Sequence, residues 1–144
     1  MLRPATHIRY HITAILAAHW VQFVAQYKRL GQPGVLSGFL DVAYHHLIMA
    51  IPWQLRIVII MNRKAGLNLL VHGATEAIQQ WARDIKKMRM GILIVIHTFG
   101  ADMKWHPHIH LIVTGGGLSL DGKRWIETDP KFLMHHGGLK KRWK

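Results

Sequence analysis

Apolar residues recur at three-and-four spacing over residues 63–89, where Leu67, Leu70, Val71, Ala74, Ala77, Ile78, Trp81, Ile85 and Met88 form one stripe. That period predicts an amphipathic helix, with Gln79, Arg83, Lys86, Lys87 and Arg89 on its polar side. A more diffuse helical pattern covers residues 5–30, ending in Lys28-Arg29 before Gly31, as a helix C-terminus should. The pattern changes character in three places. Residues 43–51 and 91–99 are short apolar runs closed by Pro52 and by Gly91 and Gly100, and they predict strands. From Trp105 the chain alternates polar and apolar through His106, His108 and His110, which is the period of a strand with one buried face. Pro107 is expected to set the start of that strand and Gly115 to Gly117 its end. The loop at 100–104 is short enough to make residues 91–99 and this strand an antiparallel pair. Residues 55–61 are apolar without a decisive period. Asp121-Gly122 predicts a hairpin turn, and Asp129-Pro130 the start of a C-terminal helix.

Composition narrows the class. A chain of 144 residues, half of them apolar, predicts one domain with a packed core. Three glycines and a proline between Gly31 and Asp41 predict a linker. There is no cysteine, which removes disulfides, zinc ribbons and thiol catalysis and fits a reducing cytoplasm. Nineteen Lys and Arg against seven Asp and Glu give a net charge of +12. So basic a chain favours an anionic partner, of which nucleic acid is the commonest. No apolar run approaches the ~18 residues needed to span a bilayer, so no membrane association is expected.

The candidate chemistry lies in the alternating strand. His108 and His110 share a face, with His106 beside them, and two neutral imidazoles at that spacing can reach one cation. His97 reads as a structural strand histidine. With two or three imidazoles as ligands, positions stay open for water or phosphate, as a catalytic site requires. No Ser-His-Asp set or carboxylate pair stands out, and acids are too scarce for a carboxylate-rich metal site.

His108-Ile109-His110 has the His-hydrophobic-His form of the HUH endonucleases. The longer run from His106 to Ser119 resembles the signature of the two-tyrosine rolling-circle transposases of the insertion sequence ninety-one type. Tyr44 to Pro52, Asn62-Arg63-Lys64, His97 to Gly100, Asp121 to Trp125 and His136 to Arg142 resemble the same family. The likeness is good over about 41–144 and looser over 3–28. It implies an α+β, ferredoxin-like HUH domain with a mainly antiparallel sheet, preceded by an N-terminal helix within residues 1–30. It implies a Mg²⁺ or Mn²⁺ ion, single-stranded DNA as partner, and a tyrosine that nicks DNA and stays linked to its 5′-phosphate. Carried over by residue, His108 and His110 are metal ligands and catalytic, and His46 is the third ligand. Arg63, Lys64, Lys140, Lys141 and Arg142 are candidate DNA contacts.

Two departures from the family follow. The linker at 31–41 stands where the family has a cysteine-rich zinc region. The family's nucleophilic tyrosines lie on a helix downstream of residue 144, whereas the three tyrosines here are Tyr10, Tyr27 and Tyr44. The expectation is therefore a transposase domain at 42–144, truncated at its C-terminus, with the metal half of a nicking centre and without its nucleophile. The alternatives are a non-enzymatic basic nucleic-acid-binding module and a transposase remnant without function.

Overall fold

The computed structural model describes residues 14–31, 35–36 and 39–129. Helix α1 (Ala14–Arg29) comes first, and β1 (Val35–Leu36) and β2 (Phe39–Leu40) follow. Next are β3 (Tyr44–Ala50), α2 (Trp53–Met61), α3 (Arg63–Trp81), β4 (Met88–Phe99), β5 (Trp105–Ser119) and β6 (Trp125–Glu127). The result is an α+β fold with an antiparallel main sheet. β5 is its centre, flanked by β4 on one side and by β3 on the other. β6 continues the β3 side, pairing Gly116 to Leu118 of β5 where β3 stops at Thr114. The expected linker contains a small antiparallel ladder of its own, Val35 to Leu40 and Leu36 to Phe39.

The two sheet faces are covered differently. Ile109, Leu111 and Val113 of β5 are fully buried beneath α2 and α3, with Met49, Ile92 and Ile94 beside them. α3 contributes Leu70, Val71, Ala74, Ile78 and Trp81, the stripe that its period predicts. The undecided segment at 55–61 is α2, and Ile59 is its buried residue. On the opposite face α1 lays Trp20, Phe23, Val24 and Tyr27 against Leu93, Tyr44 and Trp125. It covers only the part of that face nearest the start of β4. Gly91 is required there, because a Cβ would stand 2.6 Å from the Phe23 ring.

The long helix ends earlier than its pattern suggests. A π-helical turn, Ala82–Lys86, follows α3, and Lys87 turns left-handed at φ 55. Met88 is therefore buried as the first residue of a strand, and Ile85 is left exposed. β5 in turn runs longer than expected, straight through its three glycines. Gly117 lets neighbouring backbone approach, since a Cβ there would run into the Arg89 carbonyl. At the sheet edge Gln79 reaches β4: its Nε2 donates to the Met90 carbonyl at 2.6 Å, and its Oε1 accepts from the Met90 N–H at 3.1 Å. Among the described residues no helix is long and apolar enough to cross a membrane.

Candidate metal centre

The half of the sheet face that α1 leaves uncovered is where the histidines gather. Strand alternation puts His106, His108 and His110 of β5 on this side, all half-buried, while Pro107, Ile109 and Leu111 turn into the core. β4 adds His97, which pairs with His108 across the ladder. β3 adds His46, which pairs with Ile112, one alternate position along from His110. Ring centroids lie 4.2 Å apart for His97 and His110, 5.1 Å for His108 and His110, and 5.0 Å for His46 and His110.

His97, His108 and His110 each offer a ring nitrogen within 4.8 Å of the others. Nitrogens sharing one ion at about 2.1 Å stand closer together than that, so small ring rotations would close the set. Hydrogen bonds constrain which nitrogens are available. His108 Nδ1 lies 2.8 Å from the His106 carbonyl, which can only accept, so Nδ1 carries the proton and Nε2 keeps its lone pair. His110 Nδ1 lies 2.8 Å from His46 Nε2. With Nδ1 as the donor of that contact, Nε2 of His110 keeps its lone pair for a metal.

Local electrostatics favour the neutral form of His97 and His110. Burial lowers the His97 pKa below 6.5, and His108 lowers it further. Burial also lowers the His110 pKa, followed by His97, His108 and His46 in turn. A neutral imidazole is the form that binds metal. The group contains no carboxylate, so an ion held there would keep its charge toward an incoming phosphate.

The structure thus brings His108 and His110 together with His97, and places His46 on the side of His110 away from β4. Arg63 and Lys64 are elsewhere: α3 starts on the covered face of the sheet, where the Arg63 guanidinium sits 4.8 Å over the Trp105 ring. Lys140, Lys141 and Arg142, and the helix expected from Pro130, lie outside the described residues. Tyr44, the tyrosine nearest the histidines in sequence, is engaged locally: its hydroxyl accepts from Leu40 N–H at 2.9 Å and donates to the Leu40 carbonyl at 3.0 Å. Tyr27 is buried beneath α1.

His97 was the residue that sequence reasoning passed over, because its face depends on an irregularity. Phe99 pairs with Trp105, a register that, continued evenly, would set His97 opposite Pro107 and into the core. The shift between His97 and Phe99 moves it by one, opposite His108. The sequence signal available was only the short loop, which fixes the hairpin but not its register.

Comparison with known proteins agrees with this architecture. Residues 91–144, which include β4 from Gly91 onward and the whole of β5, match a family described as "Putative transposase". The chain is 33% identical over 103 residues, 72% of its length, to the transposase for insertion sequence element IS801 of Pseudomonas savastanoi pv. phaseolicola. It is 31% identical over 97 residues, 66% of its length, to "Putative transposase y4qJ" of Sinorhizobium fredii. Over those stretches the chain is similar to transposases, one of them the transposase of an insertion sequence element. It spans 23% and 24% of the two relatives' own lengths. No solved structure matches.

Proposed function

We propose that this domain is the metal-binding part of a DNA-nicking transposase centre acting on single-stranded DNA. The observation that carries the reading is the convergence of His97, His108 and His110 on the open half of one sheet face. His108 and His110 would hold a divalent ion, and His97 would supply the third nitrogen. His46 holds Nδ1 of His110 and so fixes the ring that faces the ion. An all-imidazole set suits Mn²⁺ better than Mg²⁺, which prefers oxygen donors. An ion held there would supply Lewis-acid polarisation of a scissile phosphodiester.

The chain's own residues bind and orient. Among the described residues no helix covers the sheet surface beside the histidines, which leaves room for a strand of DNA, and the basic composition supplies electrostatic attraction. Tyr27 and Tyr44 are committed to packing and to a backbone hydrogen bond, so neither is placed as a nucleophile. Mixing the chain with Mn²⁺ and a single-stranded oligonucleotide is expected to give binding without a covalent adduct, read on a denaturing gel. An adduct would show that a nucleophile lies within these 144 residues. DNA binding that ignores both Mn²⁺ and chelator, with no Mn²⁺ uptake, would favour a non-enzymatic basic module instead.

A further inference from the structure

The sheet end furthest from the histidines collects positive charge from separate segments. The π-helical turn runs out through Lys86 to Lys87, β4 opens with Met88-Arg89, and the β5–β6 turn carries Lys123 and Arg124. All five of these cations are exposed. The fold holds their backbones side by side. Met88 and Arg89 pair with Ser119 and Leu118, and the Ser119 hydroxyl accepts from the Arg124 N–H at 3.0 Å. Asp121 sits in the same turn and accepts from the Ser119 hydroxyl and the Lys123 N–H. Its carboxylate stays exposed and ionised at the turn, one negative charge against the five cations.

A cavity of about 420 Å³ opens onto this end, between α1 and α3 and beside the start of β4. Arg83 and Arg89 both line it, together with Gln22 and Gln26. Arg83 is paired with Glu76, whereas Arg89 donates to the neutral Gln26 Oε1 at 3.1 Å and keeps its charge uncompensated by that contact. Arginine forks and side-chain amides around an open groove are the donors that phosphate oxygens take.

We infer that this end is a second DNA-binding surface, one that grips the phosphate backbone away from the nicking centre. The inference rests on the DNA reading proposed above. Arg89 and His97 are eight positions apart on one strand, which at ~3.3 Å per residue is roughly 26 Å. That is about eight nucleotides of a strand stacked at ~3.4 Å spacing, so the surface holds a flank of the substrate rather than the scissile phosphate. Charge there belongs to non-sequence-specific grip. It adds affinity and register along the strand, and leaves metal binding to the histidines.

The test is fluorescence anisotropy of the full chain with a labelled 30-nucleotide single strand over a salt series. The comparison is with the combined variant Arg89→Gln, Lys123→Gln, Arg124→Gln. The expected result is a loss of affinity of about tenfold or more near physiological salt, and a salt slope shallower by about two, since each lost single-strand phosphate contact removes ~0.7. Mn²⁺ uptake and the circular dichroism spectrum should match the parent chain. A variant with unchanged slope and affinity overturns the surface while leaving the metal-centred reading standing. Loss of Mn²⁺ uptake in this variant would overturn the separation of the two regions. A parent chain with no salt-dependent DNA binding overturns both this inference and the DNA reading beneath it.

Discussion

The two sides of β5 come from one alternating run of residues yet do opposite work. On one side Ile109, Leu111 and Val113 are sealed beneath two helices. On the other, His106, His108 and His110 stay half-exposed on a surface that α1 covers only further along. The same strand carries the core on its odd positions and, in the function proposed above, the metal site on its even ones. The comparison teaches that the histidines do not hold the fold together, so they can be replaced without losing it, whereas their neighbours cannot.

The most drastic way to sharpen that contrast is His108→Ala with His110→Ala. Mn²⁺ affinity in calorimetric titration is expected to fall at least ~100-fold, while the thermal midpoint moves little, because surface changes of this kind stay near ±0.5 kcal/mol. Unchanged metal affinity would remove the site. Leu111→Ala should do the reverse. Truncating a fully buried leucine should remove about 2–5 kcal/mol of stability in urea unfolding. The metal affinity of its remaining folded fraction should be unchanged. His46→Phe tests the ring contact on His110. Metal affinity should fall about 10- to 100-fold, as for other partners of a ligating histidine. Its Co²⁺ absorption spectrum should keep the parent shape, and an altered spectrum would make His46 a ligand. The smallest effect is with pH. His97 and His110 have folded pKa values below the ordinary 6.5, so the unfolded chain takes up protons first as pH drops. Stability should be full above about 6.5 and decline as pH falls through the lowered values, which denaturation at pH 7.5 and 5.5 would show.

Much of the fold was legible where one period persisted. The stripe from Leu67 to Trp81 gave a helix, and alternation around Ile109 put the paired histidines on one face. The chain was opaque where a single backbone event decided. Lys87 in a left-handed conformation converts Met88 from helix stripe to buried strand. A one-residue register shift decides whether His97 faces solvent or core. The three glycines read as a strand end because glycine disfavours strands. They are strand because other backbone and the Trp125 ring press on them too closely for any side chain. Residues 55–61 were undecidable because an apolar run of that length fits either element, and only packing of Ile59 beside Gly66 resolves it.

Gln79 carries a consequence for how this protein behaves among its own copies. By donating to and accepting from Met90 with one side chain, it stands in for the strand that would otherwise come next. An open strand edge is a template for fibrils and for swapped partners. At its starting end β4 is therefore closed to recruitment by a neighbouring molecule, by an amide rather than by a charge or a proline.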